Sequence, residues 1–583
     1  MTVTEVVLNS EQALVASAAV SARYVVLAPP GSGKTEVVSA RVTNLLDQGV
    51  DFDGLLVVSF SRAAVYAIRE RQRRAGSGRW VWVSTLDSLA TRLLMDAGLD
   101  PSGLGFDARI DLLNAEVSTG RSAVLPALNH LIVDEFQDIV GPRLQLVETL
   151  LRSLEAEAGF TVLGDEAQAI YDFQQSRTGS SAPRSGRLLE ACDDLGASEI
   201  HLNGQYRAAC RDARVAASLT PLDINEAAWW SRTSDFLRDL PAMEGIDQVE
   251  RELTKAADRG ETAAVLALSN AEALDVNSRL QAADLAVTLV PPSDQRPLAP
   301  WIALTLAGSQ PSVSKEAFEE AWAEEELDGD AGAAWRALRR TTSSQSRLLS
   351  VPELASRLAA RYVPAMLESP PPALCTSTVH RAKGLEFDVV VLVDPESWRE
   401  RSSAESITEV QRVLYVAITR GRSLLMTLNA GPRRWFRDDL SERIIRLKNR
   451  GITGFELRPS DLGAISAPGA SDDARQTIAE FLAGWRGHPR AVSWAMNPRK
   501  STLEYPVYDC LLDDMCIGTT TVEFGTALAR RTGRLDRWVP LEGGHMFGTQ
   551  TIAGPQQSGA IGKHGLWLAP LVGGALTLRW DKV

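Results

Sequence analysis

Ahead of Ala28-Pro29-Pro30-Gly31-Ser32-Gly33-Lys34-Thr35 runs Tyr24-Val25-Val26-Leu27, an apolar segment that predicts a short buried strand. Behind it, Val37, Val38, Val42, Leu45 and Leu46 fall on one face of a helix. A strand, a Gly-rich turn, Lys-Thr and a helix together make a phosphate cradle. The loop's backbone N–H groups and the helix N-terminus face the phosphates. Lys34 reaches the β/γ oxygens and the Thr35 hydroxyl holds Mg²⁺. A mere tight turn needs neither Lys-Thr nor this frame. The first position of the usual pattern is Gly, and here it is Ala28.

Further strands follow. Leu55-Leu56-Val57-Val58-Ser59-Phe60-Ser61, Val81-Trp82-Val83-Ser84-Thr85, Leu131-Ile132-Val133-Asp134 and Val162-Leu163-Gly164 each run from apolar into polar residues. Strands alternating with helices predict a parallel sheet covered on both faces, with its site at the strands' carboxyl ends. Asp134 at such a tip suits Mg²⁺ through water, and Glu135 suits orienting the attacking water. Two adjacent acids also suit a helix cap, but the cradle upstream favours the chemical role. Ser10 in Leu8-Asn9-Ser10-Glu11-Gln12 reads as a helix cap, and Gln12 offers a donor and an acceptor to an adenine edge.

At 583 residues the chain predicts three or four domains. No apolar run approaches a membrane span, and Met1-Thr2-Val3-Thr4-Glu5 does not begin a basic-then-apolar leader. Five cysteines without a C-x-x-C pair argue for a reducing cytoplasm and against zinc or iron–sulfur. A net charge of −13 rules out a uniformly basic coat, while nucleic-acid binding depends on local placement. Arg69, Arg71, Arg73, Arg74 and Arg79 cluster, as do Arg433, Arg434, Arg437, Arg443, Arg446, Lys448 and Arg450. Each cluster reads equally as a solvated helix face.

The loop, Ser59-Phe60-Ser61, Asp134-Glu135-Phe136-Gln137-Asp138, Gly164-Asp165-Glu166-Ala167-Gln168-Ala169-Ile170-Tyr171, Gln205-Tyr206-Arg207, Thr378-Val379-His380-Arg381-Ala382-Lys383-Gly384-Leu385-Glu386-Phe387 and Tyr415-Val416-Ala417-Ile418-Thr419-Arg420 stand in order. They resemble the helicase motifs of the UvrD/Rep/PcrA type of superfamily 1, from about residue 8 to 440. The resemblance implies two RecA-like parallel-sheet P-loop NTPase domains, 1–198 and 199–445, with ATP between them and single-stranded DNA across both. A small C-terminal β-rich (α+β) domain, 446–583, would follow.

By that resemblance Gln12 reads the adenine and Tyr206 stacks on it. Gln168 and Arg207 contact the γ-phosphate, Arg420 is the arginine finger, and Glu386, beside Gly384, approaches the ribose. Phe60 and Phe173, with Tyr171 nearby, would stack on bases, although Phe60 also reads as core. Ser84, Thr85 and His380 would meet the DNA backbone, a structural histidine being the alternative for His380.

The chain departs from the family in places. Glu36 replaces the Arg that usually follows Gly-Lys-Thr, Thr85-Leu86-Asp87 stands for Thr-Phe-His, and Phe173-Gln174 stands for Trp-Arg. Both customary insertions are short, at about 95–124 and 310–372, the latter helical in pattern. In the tail, 503–513, 517–524 and 575–580 read as strands and 543–562 as Gly-rich turns. Gly533-Arg534-Leu535-Asp536-Arg537 lacks the downstream carboxylate-x-Lys of a nuclease.

These readings predict an ATP- and Mg²⁺-dependent DNA helicase or translocase. It would move 3′ to 5′ on single-stranded DNA and ss/ds junctions, in the cytoplasm, in repair, recombination or defence. A protein partner would dock on the C-terminal domain, and no membrane is involved. The rival is a nucleotide-gated regulatory subunit of a DNA-processing or phage-defence complex with little unwinding of its own. An RNA helicase is a third, weaker reading.

Overall fold

The computed structural model describes residues 7–59, 82–101, 103–118, 127–170, 186–222, 225–283, 285–292, 295–342, 346–359, 367–370, 372–400, 407–431, 435–438, 441–447, 453–464, 472–485, 488–532, 540–555 and 562–578. The chain forms two compact units. The first holds residues 1–240, 383–386 and 396–425; the second holds 241–382, 387–395 and 426–583.

In the first unit six strands form one sheet: β1 (Arg23–Leu27), β2 (Leu55–Ser59), β3 (Trp82–Thr85), β4 (His130–Asp134), β5 (Gly159–Gly164) and β6 (Ser198–His201). Their order is β3-β2-β4-β5-β1-β6, and every pairing is parallel. The wholly buried runs Leu55-Leu56-Val57-Val58 and Leu131-Ile132-Val133 suit strands covered on both faces. Helices Leu86–Asp96, Phe106–Ser118 and Pro142–Arg152 pack Leu89, Ile110, Leu113, Val147 and Leu150 against Leu131, Phe136 and Phe160. The register brings Leu27 beside Gly164, and Asp134 beside both Ser59 and Leu163. Loop and carboxylates therefore share one edge of the sheet.

The second unit contains β7 (Ala242–Met243), β8 (Ala263–Ala267), β9 (Thr288–Leu289), β10 (Ser312–Val313), β11 (Leu349–Ser350), β12 (Leu374–Thr378) and β13 (Phe387–Val393), with the end of β14 (Gly421–Leu428) from Met426 onward. One sheet runs β7-β14-β13-β8-β12-β9, and its pairings of β12 with β8 and β9, and β13 with β8, are parallel. The stretch after β9 holds the two-stranded β10–β11 sheet and helices Lys315–Glu324, Ala331–Thr341 and Val351–Ala359 around Phe318, Trp322 and Trp335.

The tail supplies β15 (Trp435–Asp438), β16 (Ser441–Leu447), β17 (Thr453–Leu457), β18 (Leu462–Ala464), β19 (Arg490–Ala491), β20 (Ser493–Met496), β21 (Tyr508–Leu512), β22 (Met515–Thr520), β23 (Leu541–Ala553) and β24 (Leu566–Leu578). They make two sheets, β15-β16-β17-β24-β23-β19 and β18-β22-β21-β20, whose residues share a core centred on Phe455, Phe524, Tyr508 and Leu576. Thr551 of β23 donates to Ala299 O at 2.7 Å and accepts from Ala303 N at 3.0 Å, joining the tail to the helix Pro300–Leu306.

The tail differs from its sequence reading in four places, the first being that the strand expected over 503–513 is confined to Tyr508–Leu512. Residues 541–553 are one long strand, because Gly543 and Gly548 lie where the β23–β24 register shifts instead of closing turns. The strand expected over 517–524 stops at Thr520, and a helix starts at Val522. β24 begins at Leu566, well ahead of 575. At the other end of the chain Asn9, not Ser10, caps the first helix, accepting from Gln12 N at 2.8 Å. No helix among the described residues is long and apolar enough to cross a membrane.

Candidate nucleotide site

The phosphate loop lies between β1 and the helix Lys34–Asp47, in the first unit. Ala28, buried at the first loop position, donates its N–H to Gly164 O at 2.9 Å and ties the loop to β5. Gly31 and Gly33 sit at φ 81° and 86°, the left-handed region that glycine enters freely. At Gly31 a Cβ would also meet Gln205 Oε1 at 1.9 Å. Gln205 is strapped over the loop: its Nε2 donates to Pro30 O at 2.8 Å and its Oε1 accepts from Arg207 N at 3.1 Å. Beside it Tyr206 N donates to Gly31 O at 2.8 Å. Ser32 Oγ is buried without a hydrogen-bond partner. Thr35 opens the helix next to Lys34 and is half-buried, as is Glu36.

Three acids, Asp134, Glu135 and Asp165, converge beside the loop. Lys34 Nζ donates to Glu135 Oε2 at 3.1 Å, and the Glu135 backbone is at φ 56°, ψ 50°, a conformation that is costly for a residue bearing Cβ. Burial alone would lower the Lys34 pKa, but Glu135, Asp165 and Asp134 outweigh it and raise it. Burial pushes the Glu135 carboxyl up, yet Lys34 and the Gln137 amide hold it well below the usual carboxylate range. Asp134 moves the other way, raised by burial and by its neighbour Glu135. Its Oδ1 is buried and has no hydrogen-bond partner. An orphaned carboxylate oxygen at a strand tip has the chemistry to accept from the water shell of Mg²⁺.

A relay of side chains continues from there. Gln137 Nε2 donates to Glu135 Oε2 at 2.6 Å, while its Oε1 accepts from Asp165 N at 3.0 Å. Asp165 accepts from Gln168 Nε2 at 2.8 Å, and Gln168 Oε1 accepts from Arg420 at 2.8 Å. Arg420 is buried, its Nε donating to Val416 O at 3.0 Å, and burial together with nearby Arg207 lowers its pKa to about 10. Arg207 pairs with Glu386, which also accepts from Arg422 at 2.7 Å. Burial pushes Glu386 up, but these guanidiniums hold it below its ordinary value. Lys383 is bound by Asp138 and by Gln168 O, and Gly384 follows it at φ 78°.

Lys34, Asp134, Glu135, Gln168, Arg207, Glu386 and Arg420 are thus brought together in one unit. Gln12 lies close by but is buried and tied to Ser32 O at 2.8 Å, while Tyr206 is exposed. Gln137, Asp138, Asp165, Lys383, Gln205 and Arg422 had no role in the sequence reading, although all but Arg422 stand inside its motifs; each has a partner at least 28 residues away. Of the residues expected at DNA, Phe60, Tyr171 and Phe173 lie outside the described residues. Ser84 and Thr85 are buried, and Thr85 Oγ1 caps the helix Leu86–Asp96 by accepting from Ser88 N at 3.2 Å. His380 is half-buried in the one-turn helix Val379–Ala382 of the second unit. The basic cluster 69–79 and residues 432–434, 448–452 and 533–537 also lie outside the described residues.

Residues 11–174 match the family described as an AAA domain, and residues 358–430 match the UvrD-like helicase C-terminal domain. No curated protein sequence matches the chain. Among solved structures it is similar to the Pif1 helicase from Candida albicans, at 13% identity and a TM-score of 0.38, over 73% of this chain and 96% of that one. It is also similar to the Pif1 helicase from Bacteroides in complex with ADP-AlF3 and ssDNA, at 12% identity and a TM-score of 0.35, over 74% and 94%. Those two likenesses are too loose to carry residues from one chain to the other.

Proposed function

We propose that the chain is a UvrD-like superfamily 1 helicase, an ATP-hydrolysing motor that moves 3′ to 5′ on single-stranded DNA, as its matches to an AAA domain and to the UvrD-like helicase C-terminal domain support. One observation carries the reading: Arg420 reaches Gln168, 252 residues earlier, within the relay that also includes Asp165, Gln137 and Glu135. The two family matches are therefore joined by one hydrogen-bonded set.

Each member has a task that its surroundings suit. Lys34 is kept protonated by three acids and offers its charge to the β/γ oxygens once a nucleotide displaces Glu135. Glu135, held ionised, accepts a hydrogen bond from the attacking water and orients it in line. Gln168 sits where a γ-phosphate would bear on both Asp165 and Arg420. Arg420 and Arg207 supply the positive charge that spreads with the transferred phosphoryl oxygens. Thr35 and Asp134 would hold Mg²⁺, which shields the phosphate charge when bound. Departure of the γ-phosphate removes the ligand shared by Lys34, Gln168 and the arginines, and that loss of common contacts is what can bias a conformational equilibrium. DNA would be gripped by base stacking and backbone contacts, with His380 among the residues nearest in motif. The five free cysteines suit a reducing compartment such as the cytoplasm.

Single-stranded DNA should stimulate ATP hydrolysis by the full chain, and a forked duplex with a 3′ tail should be unwound. If ATPase activity were absent, or indifferent to Lys34→Ala, the motor reading would be wrong. Robust ATPase without unwinding would leave a translocase or the regulatory-subunit alternative.

A further inference from the structure

The chain passes from the second unit to the first between Ala382 and Lys383, and an ion pair stands on each side of that junction. On the first-unit side Lys383 is bound by Asp138 and by Gln168 O, and Gln168 Oε1 accepts from Arg420. On the second-unit side Arg381 makes a two-pronged bond to Glu456 of β17, 75 residues further on. Arg381 also donates to Val290 O at 3.3 Å, and its backbone N–H donates to Thr378 Oγ1 at 3.3 Å. The short link Val379–Lys383 is thus pinned at both ends.

Glu456 is well placed to be the fixed end. β17 is paired with β16 on one edge and with β24 on the other. The carboxylate also accepts from Asn270 Nδ2 at 3.4 Å and from Arg458 Nη2 at 2.9 Å. Asn270 follows β8, Arg381 follows β12 and Val290 follows β9, and those three strands are parallel neighbours. One tail carboxylate therefore gathers, directly or through Arg381, the carboxyl ends of three strands, the edge where such a sheet keeps its working loops. A buried ion pair adds little stability over well-packed apolar residues, whereas a guanidinium fork fixes orientation. Given the motor reading, we infer that Glu456 is a positioning residue: by holding Arg381 it orients the link through which DNA on the second unit speeds hydrolysis. A link held at both ends passes a displacement on; one released at Arg381 absorbs it.

The experiment measures ATP hydrolysis by the full chain with and without saturating oligothymidylate, for wild type, Glu456→Gln, Glu456→Asp and Arg381→Lys. Each protein is assayed at a temperature where circular dichroism shows it folded. Glu456→Gln should leave DNA-free hydrolysis as in wild type and cut the stimulation by DNA about tenfold, a usual size for coupling between two sites. Glu456→Asp keeps the charge and should recover most of the stimulation. Arg381→Lys keeps a charge but not the fork and should lose stimulation too; it decides the matter if Glu456→Gln does not fold. Full stimulation in folded Glu456→Gln or in Arg381→Lys overturns the inference alone. So does an equal loss of DNA-free and DNA-stimulated hydrolysis, the mark of a merely structural role. Hydrolysis by wild type that does not respond to DNA sinks the motor reading, and this inference with it.

Discussion

Lys34 and Glu135, 101 residues apart in the chain, hold each other at 3.1 Å. Each is the other's counter-ion in the absence of a phosphate, so a nucleotide must part them. In doing so it frees the Glu135 carboxylate toward water at the moment it engages the ammonium. Replacing Glu135 by Gln keeps the shape, and the Gln137 contact can re-form through the amide oxygen, but the base is gone. DNA-stimulated hydrolysis should fall by about 10²–10⁴. Fluorescent-nucleotide titration should show binding retained. Lys34→Ala should lose both hydrolysis and much of the binding. Equal turnover by Glu135→Gln and wild type would remove Glu135 from the chemistry.

Arg420 is fixed by four bonds, to Val416 O, Leu385 O, Thr419 Oγ1 and Gln168 Oε1. A lysine cannot reproduce that fork, because an ammonium on a flexible stem has no planar pair of donors. Arg420→Lys and Arg420→Ala should both reduce kcat, the alanine variant by about 10³–10⁵, the loss expected on removing an arginine finger. Gln168→Ala breaks the same relay one residue earlier and should not add fully to Arg420→Ala. Steady-state kinetics of the two single variants and the double variant check this. Full additivity would mean that the two residues act separately.

Burial, with Arg41 nearby, lowers the His130 pKa to about 3, although Val20 O lies 2.7 Å from its Nδ1 and Thr161 Oγ1 lies 3.0 Å from its Nε2. In the unfolded chain the ring takes a proton near pH 6.5; in the folded chain it does not until about 3. The unfolded state therefore binds more protons between those values, and stability falls as pH drops through that window. The loss is about 1.4 kcal/mol per pH unit from this group alone. Urea unfolding at pH 7.5, 6 and 5 should show the loss, and His130→Asn should flatten it, whatever it does to stability at pH 7.5. An unchanged slope in that variant would assign the acid sensitivity elsewhere.

What could be read in the sequence was local. Lys34, Asp134 and Glu135 each announce themselves within a few residues, because a strand, a turn and a polar tip are short-range patterns. The relay is not short-range. Gln137 meets Asp165 across 28 residues and Lys383 meets Asp138 across 245, so nothing in either neighbourhood predicts the bond. The tail failed for a different reason. Glycine is a turn signal in a sequence, yet in the β23–β24 pair the same residues absorb register shifts inside a strand. Gln12 was legible as a polar residue ahead of the loop; its bonds to Asn9 N and Ser32 O were not.

Glu456 on β17 tests how the tail is held. It is buried and accepts two bonds from Arg381, one at 3.2 Å, and one from Arg458 at 2.9 Å. Arg443 donates to Glu456 O at 2.8 Å and pairs with Asp461. Burial pushes the Glu456 carboxyl up, but Arg381 and Arg458 outweigh it and hold it at about 2, down from 4.5. A depressed carboxylate contributes stability that is whole above pH 4.5 and fades as pH falls toward 2. Glu456→Gln leaves the half-buried Arg381 and the buried Arg458 with half a partner, and such breakage costs about 3–5 kcal/mol. Arg381→Ala should cost a similar amount, and the double variant less than the sum, since the second change removes a charge already stranded. Urea unfolding of the four proteins at pH 7 checks the cycle. Additive losses would mean that Arg381 and Glu456 stabilise the unit independently, and that the tail is anchored to the Thr378–Lys383 motif by packing instead of by this pair.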